Sequence, residues 1–215
     1  MSDPKPQFMG KITASVTHEI QNVLAVIKES AGLMEDLTMM MNQGHELSGM
    51  EEKIATCLGT IKKQAYRGVS LTSNLNAFAH SPDYPVSTFN PAETIKKLLG
   101  ISERIFRLKG TEISFLEPDS DFSITTDPLA FQMLLFSCLE ALTTAVSPKT
   151  ISMDLQFGSG KATVNFSVAD PLPDPEASHQ NLIPENVIQA CHTLGGRLET
   201  TRNPAGICLT LPLNV

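Results

Sequence analysis

The chain has 215 residues, 41% of them hydrophobic, which is enough for one large or two small packed domains. Its formal net charge of -7, without any basic run, argues against nucleic acid or an anionic membrane surface as a partner, so a protein partner is expected. No segment has the roughly 20 uninterrupted apolar residues of a membrane span, and the first residues lack the apolar run of a secretory signal, so we expect a cytoplasmic protein. The four cysteines are scattered and form no CxxC pair, which predicts neither a zinc site nor a disulfide framework.

Residues 7 to 80 predict an antiparallel helical hairpin that breaks near Asn42-Gln43-Gly44. The segment contains no proline, and its apolar residues recur at helical spacing. In the first helix they fall within roughly 40° of one direction. This stripe consists of Ile12, Val16, Ile20, Val23, Ile27, Met34 and Met41. A single hairpin cannot cover the stripes of both helices, so we expect a homodimer in which two hairpins form a four-helix bundle.

A second domain is expected beyond a short connector, because the two prolines in residues 81–85 interrupt the helical pattern. We therefore divide the chain into a hairpin over 1–81 and a second domain over 86–215. The second domain mixes helices with strands, predicted at 91–108, 127–146 and 184–193 (helices) and at 111–116, 150–156, 161–169, 197–201 and 206–212 (strands). This order predicts an α/β sandwich in which helices cover one face of a mixed sheet, and an α+β class for the whole chain.

His18 lies about 160° from the apolar stripe of the first helix, so it should face solvent, with Asn22 and Glu29 on the same side. The run from Ser15 to Ile27, SVTHEIQNVLAVI, resembles the phosphoacceptor box of histidine kinases, in which a histidine is followed by an acid and, three positions later, by Asn or Thr. A neutral imidazole is a good nucleophile near neutral pH, which fits phosphoryl transfer.

The resemblance implies roles for several residues of this helix. His18 would be the phosphoacceptor, and Glu19 would act as its acid/base partner by holding the reactive tautomer. Asn22 would position water for a phosphatase reaction, although a solvated helix residue explains it equally well. Val26 and Glu29 would belong to the surface that binds the partner.

Later segments follow the order of the same family. Residues 74–79 (NLNAFA) are similar to the close of the second bundle helix, and 89–91 (FNP) to the lead into the ATP-binding domain. Residues 127–135 (DPLAFQMLL) are similar to the start of the nucleotide-binding helix, and the final glycine-containing strand segments also match. Each of these segment matches alone is weak evidence, and the resemblance depends on their order along the chain.

The nucleotide elements depart from the family pattern. Glu140 is kept, but Ala141 stands where active relatives have the magnesium-binding asparagine, and a methyl group cannot coordinate a hard cation. Asp170 opens the sequence DPLPDP, where the family has Asp-x-Gly-x-Gly, and proline removes the backbone donors that a phosphate loop needs. We therefore expect a degenerate ATPase-like domain that holds no metal, ATP or other cofactor, with magnesium only on the partner receiver domain.

Three functions remain open from the sequence. The first is a histidine phosphotransfer protein of a two-component phosphorelay, in which response-regulator receiver domains exchange phosphoryl groups with His18 and an upstream hybrid histidine kinase is a further candidate partner. The second is a divergent histidine kinase that still binds ATP. The third is a noncatalytic dimeric scaffold, or a phosphatase that works through Asn22.

Overall fold

The computed structural model describes residues 4–43, 49–146, 149–169, 182–202 and 205–214. Two long helices come first, α1 (Lys5–Asn42) and α2 (Met50–Ala79). They pack antiparallel, since residues near the start of α1 contact residues near the end of α2. The predicted hairpin is thus confirmed, with α1 ending at Asn42; Gly44 of the predicted break lies outside the described residues.

The second domain begins after a short 3-10 helix (Ser81–Asp83). Its helices are α3 (Pro91–Arg107), α4 (Pro128–Val146) and α5 (Glu185–Thr193). Its strands are β1 (Ser87–Phe89), β2 (Glu112–Leu116), β3 (Ile124–Thr126), β4 (Thr150–Gly158), β5 (Lys161–Val168), β6 (Arg197–Arg202) and β7 (Ala205–Pro212). Every predicted helix and strand of this domain is present within one or two residues of its expected bounds.

Five strands form one mixed sheet in the order β2-β4-β5-β7-β6, in which only β2 and β4 run parallel. The tight turn that joins the antiparallel strands β4 and β5 has left-handed backbone at Ser159 and Gly160, as two-residue β-hairpin turns require. The short antiparallel ladder of β1 and β3 was not expected, because strands of three residues are too short to show an alternating pattern.

The core of the second domain lies between α4 and one face of the sheet. Leu135, Leu139 and Leu142 of α4 are fully buried, and alternate residues of β5 are buried as well. By length and composition α4 could cross a membrane, but 67% of its apolar window is buried inside the fold. It is therefore a core helix of this domain.

Aromatic side chains join the hairpin to the second domain. The ring of Phe8 on α1 lies 5.4 Å from that of Phe78 on α2 and 5.3 Å from that of Phe136 on α4. Phe136 also packs 5.4 Å from Phe106 of α3, measured between ring centroids. Since all four rings are buried, the two domains share one hydrophobic cluster.

Candidate functional site

The exposed face of α1 carries the residues that the sequence singled out. Ile12, Val16 and Val23 are buried, and His18 on the other side of the helix is exposed. Asn22 and Glu29 are exposed too, and Val26 is half-buried at the edge of this face. The helical phase alone therefore placed these side chains correctly.

Glu19 occupies a different environment from His18, although the two residues are neighbours in sequence. Its side chain is buried and forms a close ion pair with Arg67 of α2. Two guanidinium groups of α3 approach as well: Nε of Arg104 lies 3.4 Å from Oε2 of Glu19, and a terminal nitrogen of Arg107 lies 3.6 Å from Oε1. In this conformation the carboxylate therefore serves the contact between α1, α2 and α3, and its action on His18 stays a prediction.

Helix geometry explains this position. Successive residues of a helix are about 100° apart, so Glu19 lies near the edge of the buried stripe while His18 points outward. The carboxylate also borders a cavity of about 190 Å³ that Ser70, Gly100 and Arg104 help to line. Oε2 of Glu19 is buried and accepts no hydrogen bond from the described residues. Burying a carboxylate costs free energy unless cations compensate for its lost hydration, and the arginines around Glu19 supply that compensation.

A second glutamate of interest, Glu140, lies on α4 where the family resemblance places the nucleotide-binding helix. Its Oε1 forms a close ion pair with Lys11 of α1, and Nζ of Lys109 lies 3.7 Å from the same oxygen. The ammonium group of Lys11 also lies 5.2 Å from the ring centroid of Phe136, within cation–π range. The carboxylate of Glu140 is thus already paired with two lysines.

Ala141 follows Glu140 and lines a cavity of about 480 Å³ between α4 and the start of α5. The polar side chains of that lining are Ser137, Glu140, Thr144 and Asn186. Ala141 offers only a methyl group at the position where a magnesium ligand would be needed. Asp170 and the prolines that follow it lie outside the described residues. In the described part of the chain, no group of three or more His, Cys, Asp and Glu side chains could hold a metal ion.

The fold can be compared with that of known proteins. No protein-family model and no curated protein sequence matches the chain. The structure of the histidine kinase AdeS from Acinetobacter baumannii matches with a TM-score of 0.51 and 10% sequence identity, over 87% of this chain and 97% of that chain. The chain has the fold of a histidine kinase. This confirms the predicted architecture of a helical hairpin followed by a kinase-like α/β domain.

Two further structures resemble this histidine-kinase-like chain. The catalytic domain of the histidine kinase ThkA matches with a TM-score of 0.49 and 16% identity, over 61% of this chain and 97% of that one. ThkA crystallised in complex with the response regulator protein TrrA matches with a TM-score of 0.49 and 15% identity, over 96% of this chain and 62% of that chain.

Sequence reasoning missed the cations that surround the two glutamates. These are Lys11, Arg67, Arg104, Arg107 and Lys109. The spacing of Arg104 and Arg107 places both on one side of α3, which was a visible signal. Nothing in the sequence pairs that side with Glu19, because the partners are more than 80 residues apart and meet only through the packing of α3 on the hairpin.

Proposed function

We propose that this histidine-kinase-like chain is a cytoplasmic phosphotransfer protein of a two-component phosphorelay, which passes phosphoryl groups between receiver domains through His18 and does not hydrolyse ATP. The observation that carries the proposal is the exposed His18, on the first helix of a histidine kinase fold and beside the exposed Asn22. A nucleophile on a rigid helix face is open to a partner and needs no lid or cofactor of its own.

The transfer step follows from the chemistry of imidazole. The unprotonated nitrogen of neutral His18 attacks the phosphorus of a receiver's phosphoaspartate, so an N–P bond forms while the bond between phosphorus and the aspartate oxygen breaks. The electron pair of the broken bond stays on the aspartate carboxylate, and the other ring nitrogen can release its proton to water or to a carboxylate. The reverse reaction loads the next receiver, so the chain needs no net input of ATP.

Two observations support the loss of ATP chemistry. Lys11 and Lys109 already neutralise Glu140, and Ala141 supplies no oxygen for magnesium. The sequence DPLPDP from Asp170 lacks the glycines that let backbone amides approach a phosphate. A nucleotide would therefore find neither its usual metal ligand nor its usual loop.

A homodimer is part of this proposal. Leu24 on α1 is 59% exposed, and Leu58 and Val69 on α2 are 52% and 66% exposed. Apolar side chains repeated along one face of two long helices indicate a partner helix pair. Light scattering should give twice the chain mass of 23.3 kDa. Ile27→Asp on α1 or Ile61→Asp on α2 should yield the monomer, because each places a charge among the half-buried apolar residues that the partner hairpin would cover.

The central test measures transfer to His18. A panel of purified receiver domains is phosphorylated with labelled acetyl phosphate, and label is followed on the wild-type chain, on His18→Gln and on the matched control His80→Gln. We expect acid-labile label on wild type and His80→Gln and none on His18→Gln. Label on His18→Gln would overturn the phosphoacceptor assignment.

The same assay separates the alternatives. Labelling from radiolabelled ATP instead of from receivers would identify a divergent kinase. A faster loss of receiver phosphate without label on the chain, abolished by Asn22→Ala, would identify a phosphatase. Binding without either reaction would leave a scaffold.

A further inference from the structure

The turn that ends α3 lies beside the stretch of α1 that carries His18. We call residues 107–110 the α3 turn. At one end Arg107 contacts Glu19, the residue after His18, at 3.6 Å. At the other end Nζ of Lys109 lies 3.7 Å from the carboxylate of Glu140, which also binds Lys11 of α1.

These contacts bracket His18 along the helix. Lys11 and Glu19 are separated by eight residues, or about 12 Å of helix axis, and His18 lies between them. Seen down the axis, Lys11 lies only about 20° from His18 and Glu19 about 100° from it. The α3 turn therefore follows α1 along the side of His18 that faces the second domain.

The α3 turn presents an apolar residue between two cations. Leu108 is 73% exposed, and the side chains of Arg107 and Lys109 are about half exposed. Backbone hydrogen bonds hold the turn in place, since the amide of Leu108 donates to the carbonyl of Arg104 at 3.0 Å and that of Lys109 to Phe106 at 2.9 Å. A large apolar side chain held outward by a rigid backbone costs little entropy to bind.

Cations outnumber carboxylates in the ion pairs that the α3 turn and its neighbours make. Two separate sets of ion pairs, one around Glu19 and Glu103 and one around Glu140, together contain five cations and three carboxylates, although the chain has a net charge of -7. The cations are Lys11, Arg67, Arg104, Arg107 and Lys109, and the carboxylates are Glu19, Glu103 and Glu140. A positive patch on an acidic protein steers an anionic partner to that place.

We propose that the α3 turn and the face of α1 around His18 form one composite docking surface for a phosphorylated receiver domain. Leu108 is its apolar anchor, and Arg107 and Lys109 face the acidic rim of the receiver's phosphoaspartate site. This rests on the proposed function, because a phosphoaspartate is the anionic group that must reach His18. The second domain thus serves partner recognition.

The experiment separates docking from chemistry by measuring binding to a His18→Gln background. The probe is the receiver domain that exchanges phosphate fastest with the wild-type chain, loaded with beryllium fluoride as a stable phosphoaspartate mimic. Leu108→Asp should weaken its binding at least about tenfold, because it places a carboxylate where an acidic rim docks. The matched control is Leu116→Asp on the sheet edge, a leucine that is 71% exposed and should change binding less than about twofold.

A second pair of variants tests the charge. Arg107→Glu with Lys109→Glu should slow association at least about tenfold at low salt and flatten its salt dependence, whereas Arg197→Glu on β6 should not. Circular dichroism and light scattering check that each variant keeps its fold and mass. Equal affinity of Leu108→Asp and Leu116→Asp would overturn the docking surface. If the two variants bound equally but transfer through His18 were normal, only the docking surface would be refuted and the proposed phosphotransfer function would stand. Absence of transfer in the wild-type chain would refute the phosphotransfer function.

Discussion

Two glutamates, one on each domain, are neutralised by cations that cross the domain boundary. Glu19 of the hairpin pairs with Arg104 and Arg107 of the second domain, in addition to Arg67 of its own hairpin. Glu140 of the second domain pairs with Lys11 of the hairpin. The family resemblance gives both glutamates a chemical role, and in this fold both hold the two domains together.

The two sites differ in burial and in the type of cation. The side chain of Glu19 is only 7% exposed, against 29% for Glu140. Arginines surround the buried carboxylate of Glu19, and lysines pair with the more exposed carboxylate of Glu140. A guanidinium group suits a buried ion pair because it is planar, always charged and weakly hydrated. The difference teaches that the contact of the hairpin with α3 depends on Glu19, and that the fold can lose the Glu140 ion pair at lower cost in stability.

The largest effect on stability should come from the aromatic cluster that packs the helices carrying Glu19 and Glu140 against each other. Phe136→Ala should lower the free energy of unfolding by about 3–5 kcal/mol, because it opens a cavity between Phe8 and Phe106. Phe157→Ala is the matched control, since that ring is 51% exposed and stacks on Phe122 at the surface. Urea denaturation should give a loss of about 1 kcal/mol or less for the control. Equal losses would show that the cluster does not join the domains.

A double-mutant cycle on Glu19→Gln and Arg104→Gln should give the next largest effect. We expect a coupling free energy of about 1–2 kcal/mol, since one partner is buried and the other is one-quarter exposed. The measurement is the free energy of unfolding of the wild type, both single variants and the double variant. A coupling free energy near zero would show that Arg104 does not stabilise the buried carboxylate of Glu19.

The same cycle on Lys11→Met and Glu140→Gln should give a coupling below about 1 kcal/mol, because both side chains are partly solvated. Raising the salt concentration to about 1 M should reduce this coupling more than that of Glu19 and Arg104, because salt screens exposed charges more effectively. If the lysine pair proved the stronger of the two, burial would not be what distinguishes the sites.

The smallest effect concerns nucleotide affinity. Calorimetry should show no binding of magnesium-ATP with a Kd below about 100 μM, which corresponds to about 5.5 kcal/mol, in either the wild type or Ala141→Asn. Restoring one metal ligand leaves the paired Glu140 and the proline-rich segment unchanged. Tight binding to Ala141→Asn alone would show that the single alanine had disabled the site, and tight binding to the wild type would favour the divergent kinase.

The hairpin was the most predictable region, because a long amphipathic helix repeats one signal many times. The phase of that signal placed Ile12, Val16 and Val23 inside and His18 outside, as observed. The larger strands of the sheet were predictable from alternation and from turn residues such as Gly158 and Gly160. The three-residue strands β1 and β3 carried too few residues for either signal.

The amino-acid sequence by itself determined the two-domain order and the helical phase that exposes His18, because each depends on local spacing. It also placed a methyl group at Ala141, where the family resemblance expects a magnesium ligand. Only the tertiary structure decided where the carboxylates of Glu19 and Glu140 go. Their partners lie on other helices, far away in sequence, and the electrostatic attraction between them acts only once the aromatic cluster has packed the helices together.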